Sequence, residues 1–369
     1  MRKVVRLIVI NVVIVGFLMF LVNVGALIGL AIYDSIRPIQ HADAHRLPNY
    51  ADTDWAEAHF AEYAEIESSY EAFYGWRYQP FQGRTVNIDD EGRRISVQHE
   101  TAGPERSVAF FGGSTMWGVG ADDGGTIPSL FGNLNPDREV VNFGAIGFNA
   151  HQELNLMIMK LAEGYRPEAV IFYDGVNDAL QKCHVDNDDA YGHAQETRIR
   201  SLLKENQRWS DPPLHFALMP TMRLFEEARK VLFKSSDSAP SYDCDQQPEK
   251  AEAVARQMLI DWRIARDQAE QHGARFLAVL QPTAYASKSK LDHVELDPVW
   301  GKQYETVYPI IVGLLDGEFS DLKEDFLDLR AALDQDDYLF IDWCHLSPNG
   351  NEIIAGRIDQ ALRRPGGEV

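Results

Sequence analysis

Five short apolar runs separated by helical patterns constrain the fold of this chain more than any other feature. Residues 107–111, 139–143, 169–173, 275–280 and 338–341 are near-continuously apolar rather than alternating. Such runs are the signature of strands buried on both faces. Between and after them, 126–134, 151–163, 249–272, 300–315 and 350–363 carry helical periodicity. Strand–helix alternation predicts an α/β domain, a doubly wound parallel sheet with helices on both sides. The chain has 369 residues and is 45% hydrophobic, enough for a sizeable core.

Three regions fall outside that rhythm. Residues Leu7 to Tyr33 carry no charged side chain, and Asn11 and Asn23 are their only strongly polar members. A membrane-spanning helix needs about 20 such residues. Arg2, Lys3 and Arg6 precede the run, so the positive-inside rule places the N-terminus in the cytoplasm and the body outside. We read 1–33 as a transmembrane signal anchor. A cleaved signal peptide, with Gly29-Leu30-Ala31 as its cleavage site, is the competing reading and exports the body equally. Residues 34–105 read as a polar helical collar followed by a short β-hairpin extension, with turn signals at Gln82-Gly83 and Glu91-Gly92. His41 and His45 lie four apart in the collar without a supporting carboxylate cluster, so they read as solvated helix residues. About 180–247 read as an inserted cap segment, with helical pieces at 199–205 and 222–233. Cys183 and Cys244 lie near its two ends, spaced to pair in an oxidising compartment, which leaves Cys344.

The chemistry gathers where the strands end, which is where doubly wound sheets build their sites. The first strand runs into Gly112-Gly113-Ser114, and the second into Asn142-Phe143-Gly144-Ala145-Ile146-Gly147. The third runs into Gly175-Val176-Asn177-Asp178, and the last into Asp342-Trp343-Cys344-His345. A serine nucleophile needs a base, an acid that orients the base, and donors for the oxyanion. Ser114 stands on a glycine turn. The spacing of Asp342 and His345 brings a carboxylate under an imidazole Nδ1. The Asn177 amide and the backbone N–H groups of Ser114 and Gly147 supply three donors.

These four blocks, in this order, resemble the SGNH (GDSL-like) hydrolases. The resemblance covers about 106–178 and 275–363. It implies a flavodoxin-like sheet, a Ser114–His345–Asp342 triad, and an oxyanion hole made by Ser114, Gly147 and Asn177. One departure stands out: Gly113 occupies the position of the aspartate in Gly-Asp-Ser members. Trp117 and Trp343 flank the blocks, either as pocket lining or as packing. His151 and Asp178 lie close in sequence but read as structural. An α/β-hydrolase elbow is excluded because Met116 stands where its second glycine would be.

Asp and Glu number 56 against 35 Lys and Arg, a net charge of −21, which excludes nucleic acid as a partner. Neither a metal-ligand spacing nor a phosphate-cradling glycine loop is present, so no metal or cofactor is expected. The expected activity is an esterase or deacylase acting on an O-acyl, chiefly acetyl, ester of an envelope carbohydrate or small molecule, with the membrane held through the N-terminal helix. An O-acetyltransferase using the same triad and a non-catalytic scaffold are the alternatives.

Overall fold

The computed structural model describes residues 2–36, 43–187, 192–196, 199–200, 221–222, 224–225 and 242–363. The chain divides into two compact units. One comprises Met1–Gln40 with Arg198–Ala239, the other His41–Thr197 with Pro240–Val369.

The first unit is built on helix α1 (Arg2–Ile36). Its Arg2–Leu30 portion is long and apolar enough to cross a membrane, and only 6% of its most apolar window is buried. Asn11 and Asn23 do not break the helix, because each amide donates to the carbonyl four residues back, Leu7 O at 2.8 Å and Met19 O at 2.9 Å. Asn23 also accepts the Thr221 hydroxyl at 2.8 Å. The helical pieces expected at 199–205 and 222–233 lie almost wholly outside the described residues, and so does His41.

The second unit carries the sheet. Strands β1 (Ser68–Glu71) and β2 (Gly75–Tyr78) form one antiparallel hairpin, and β3 (Phe81–Gln82) and β4 (Asn87–Ile88) a second, after helix α2 (Ala56–Glu65). The main sheet follows: β5 (Gly103–Gly112), α3 (Ser114–Trp117), α4 (Ile127–Leu134), β6 (Arg138–Asn142), α5 (Ala150–Ala162), β7 (Ala169–Asp174) and α6 (Val176–Lys182). After the insertion come α7 (Pro248–Gln271), β8 (Arg275–Leu280), α8 (Pro298–Leu315), β9 (Phe326–Asp328) and α9 (Pro348–Arg363). The five strands are ordered β6-β5-β7-β8-β9 and all pair in parallel. This is the doubly wound α/β architecture expected.

The register explains the continuous apolar runs. Ala109, Phe111, Val170, Phe172, Phe276 and Ala278 enter the core layer shared with α5, α6, α7 and α8. Val108, Phe110, Ile171, Tyr173, Leu277 and Val279 point the other way, into the layer shared with α4 and α9. Both faces are dry, so neither alternates with polar residues. Local caps set the helix starts: Thr126 accepts from Ser129 N for α4, Asn149 from Gln152 N for α5, and Asp297 from Val299 N for α8.

One expected strand is corrected. Residues 338–341 do not join the main sheet, whose fifth strand is β9 instead. Tyr338 O and Phe340 O are taken by the Asn49 amide at 2.7 and 3.1 Å. Ser347 N bonds Leu339 O and Ile341 N bonds His345 O. The segment thus closes on itself as a tight turn, with Leu339 and Phe340 buried.

Candidate active site

Every block identified in the sequence lies at the carboxyl edge of the sheet or on the turn beside it. Ser114 opens α3 immediately after β5, and Gly113 caps the turn. A Cβ at residue 113 would lie 2.4 Å from Asn177 Nδ2 and 3.2 Å from Phe148 O. A side chain at residue 113 would have to displace the Asn177 amide, so glycine lets the two turns approach. Gly144 is required by a similar approach, since its Cβ would meet Trp117 N at 2.6 Å.

His345 Nε2 lies 2.7 Å from Ser114 Oγ, and His345 Nδ1 lies 2.6 Å from Asp342 Oδ2. The second carboxylate oxygen accepts the backbone N–H groups of Cys344 (2.9 Å) and His345 (2.8 Å). A carboxylate offers only acceptors, so Nδ1 carries the hydrogen and Nε2 is left to accept the serine proton. Burial alone would raise the Asp342 carboxyl. The facing His345 and the hydrogen bonds to it outweigh that and hold the group far below the usual carboxylate range. Ser114 and His345 are both nearly closed off from solvent, at 9% and 8% exposure.

The side expected to hold the oxyanion is equally fixed. Gly147 has φ +82°, a left-handed conformation that glycine adopts without strain. Its carbonyl accepts the Gln181 amide at 2.8 Å, and the neighbouring Ile146 N–H donates to the Tyr78 hydroxyl at 2.8 Å. Asn142 spans the loop: its side chain accepts from Gly144 N (2.9 Å) and donates to Met116 O (3.1 Å). Asn177 Nδ2 donates one hydrogen to Phe148 O at 2.7 Å, and the second remains. Among the described residues, the N–H groups of Ser114 and Gly147 meet no acceptor.

Below this hole sits a buried ionic cluster. Asp178 accepts Lys182 Nζ at 2.9 Å and Ala150 N at 3.3 Å, joining the glycine loop to the Asn177 turn. Asp174 accepts Trp262 Nε1 at 2.7 Å. Burial pushes the Glu153 and Asp174 carboxyls well above the usual carboxylate range, beside the Asp178–Lys182 pair. His151 is engaged by Asp261 at 3.0 Å. Trp117 is fully buried packing, whereas Trp343 is partly buried, its ring 6.5 Å from the His345 imidazole.

Three contributors escape sequence reasoning. Tyr78, Gln181 and Arg94 act over 68, 34 and 24 residues of separation, and no local pattern marks them. Arg94 is completely buried. It donates to Ala121 O at 2.6 Å, Trp117 O at 3.2 Å, Thr85 O at 3.4 Å and also to Gly118 O. It pairs with Asp123 at 3.0 Å and lies 4.5 Å from the Trp117 ring centroid. The collar and hairpin region therefore grips the end of the nucleophile helix.

Cys183 and Cys244 form a disulfide with Cα atoms 5.2 Å apart. Asp342, Cys344 and His345 bring donor atoms within 4.8 Å of one another, the one such trio among the described residues. Two of its members, Asp342 and His345, are already hydrogen-bonded to each other, and burial pushes the Cys344 thiol up, away from the thiolate a metal would need.

With this strand order and these blocks at its edge, the chain has an SGNH hydrolase-like fold. Comparison with family models gives no match, and no curated protein matches. Among solved structures, the chain is similar to a member of the lipolytic protein G-D-S-L family from Veillonella parvula, at 10% identity and TM-score 0.41, covering 70% of this chain and 100% of that one. It is similar to a carbohydrate acetylesterase from Sinorhizobium meliloti at 15% identity and TM-score 0.40, covering 70% and 98%. It is also similar to an α/β hydrolase enzyme from the metagenome of Lake Arreo, at 12% identity and TM-score 0.37, covering 70% and 95%.

Proposed function

We propose that this protein is a serine esterase or deacylase held at the membrane by α1, with its catalytic unit outside the cytoplasm. The observation that carries this reading is the unbroken relay from Ser114 Oγ to His345 Nε2 (2.7 Å) and from His345 Nδ1 to Asp342 (2.6 Å). It stands beside N–H groups that have no acceptor of their own among the described residues. The disulfide supports export, because such bonds persist in oxidising compartments.

In the reaction, Ser114 Oγ attacks the acyl carbonyl carbon while His345 Nε2 takes its proton. Asp342 stabilises the imidazolium that forms. The negative charge on the carbonyl oxygen is met by Ser114 N, Gly147 N and the free amide hydrogen of Asn177, each worth about 3 kcal/mol of barrier. The imidazolium then protonates the departing alkoxide, leaving an acyl ester on Ser114. A water deprotonated at Nε2 attacks that ester, and the imidazolium returns the proton to the departing Ser114 oxygen as the carboxylic acid leaves. The substrate in this reading is an O-acyl ester, chiefly acetyl, on an envelope carbohydrate or small alcohol.

Labelling with a fluorophosphonate is the direct test. The full-length protein is expected to label at Ser114 and to release acid from short acyl esters, with Ser114→Ala silent in both. A folded wild-type protein that neither labels nor turns over esters would end the enzymatic reading.

A further inference from the structure

Beside the catalytic imidazole stands a wall made of aromatic rings. Trp343 is 6.5 Å from the His345 ring. One face of its indole rests on Tyr304, with centroids 6.0 Å apart and planes 26° from parallel. Trp300 meets Trp343 at 5.1 Å with planes at 69°. Tyr242 in turn meets Trp300 edge-on at 6.4 Å. Tyr304 is buried, but Trp343, Trp300 and Tyr242 keep part of their surface.

The wall is held from both ends. Trp343 O accepts Ala284 N at 2.9 Å, which ties it to the turn after β8. Tyr242 pairs with His184 across an isolated bridge, one residue beyond the Cys183 end of the disulfide. Asp243 N also bonds Cys183 O at 3.0 Å. The rings are therefore fixed before any ligand arrives.

The chemistry decides which half of an ester this wall meets. His345 must protonate the leaving oxygen, so the alcohol half lies on the imidazole side. The carbonyl oxygen faces the N–H groups of Ser114 and Gly147, and the acyl substituent takes the remaining position, away from the imidazole. A wall on the imidazole side therefore reads the alcohol. Flat rings carry negative π faces, and these match the positively polarised C–H face of a pyranose. A slot for an alkyl chain would instead be aliphatic and closed.

From this we propose that Trp343, braced by Trp300 and Tyr304, is the specificity-determining platform for the alcohol half of the substrate, a pyranose ring stacked on its indole. The proposal rests on the Ser114 reading and adds to it the class of alcohol.

The test uses the full-length protein and acetate release. An acetylated methyl pyranoside, ethyl acetate and octyl acetate are compared for wild type, Trp343→Phe and Trp343→Ala, with melting temperatures recorded for each. Wild type is expected to favour the acetylated pyranoside over ethyl acetate at least tenfold in kcat/KM. Trp343→Ala is expected to collapse that preference at least tenfold, mainly through KM, and Trp343→Phe to recover part of it. A preference left intact in Trp343→Ala overturns the proposal, and so does a wild type that favours octyl acetate over the acetylated pyranoside. Wild type that labels at Ser114 yet shows no pyranoside preference sinks the platform alone. Wild type that neither labels nor releases acid sinks the triad reading and the platform with it.

Discussion

Replacing Arg94 by methionine should loosen the nucleophile helix without touching the triad. Methionine keeps an apolar stem of similar length but removes the guanidinium, and with it the cation lying over the Trp117 ring. That leaves the Trp117, Gly118 and Ala121 carbonyls without this donor and the Asp123 carboxylate without its cation, held only by Asn87. Arg94 has no exposed surface, so water cannot fill in without opening the fold. Removing one partner of a buried ionic network costs about 4 kcal/mol. For a unit of this size, each kcal/mol moves the melting temperature by about 2 °C, so the expected drop is roughly 8 °C. The turn that follows Ser114 is also released, so turnover of a short acyl ester should fall even at temperatures where the variant is folded. Lysine at this position restores a charge but not the fork, and should recover only part of the stability. The assay is intrinsic-fluorescence melting of the full-length protein in nanodiscs, paired with acetate release at 25 °C. A methionine variant that melts within 2 °C of wild type with unchanged turnover would refute the argument.

Asn177→Ala should lower kcat by about 10²–10³ with little change in KM, as loss of one oxyanion donor does; equal kcat would remove Asn177 from the hole. His59 gives a pH dependence of stability. It is fully buried, with Nε2 donating to Val119 O at 2.8 Å. Burial, helped by the charge of Arg94, lowers its pKa to about 3. The unfolded imidazole takes a proton below about pH 6.5 while the folded one does not. The stability is therefore complete above 6.5 and is lost as pH falls toward 3, amounting to about 2 kcal/mol by pH 5. Melting curves from pH 7.5 to 5 should show a steeper decline for wild type than for His59→Gln, and parallel declines would defeat this account.

The core of the sheet was readable because both of its faces are dry. Residues 107–111 and 169–173 therefore spell out their strands without ambiguity. The polar blocks were readable because a parallel sheet gathers its strand ends on one edge, so four separated short segments converge on Ser114. Residues 338–341 misled for a physical reason: Leu339 and Phe340 are as apolar as any strand residue, but their neighbours' carbonyls are claimed by Asn49, nearly three hundred residues earlier. The true edge strand, Phe326–Asp328, is three residues long and lies too close to charged positions to show a period. Arg94 and Tyr78 were invisible for a related reason. Their partners lie in other blocks, and a buried arginine looks in sequence like any solvated one.

The crowding at Gly113 has a consequence for how such a chain can change. A Cβ at residue 113 would press on the amide of Asn177 and on Phe148 O. The serine turn and the asparagine turn are thus complementary shapes, like two gears cut for each other. A side chain introduced at residue 113 would therefore have to move the Asn177 amide, so a change in one turn is felt in the other.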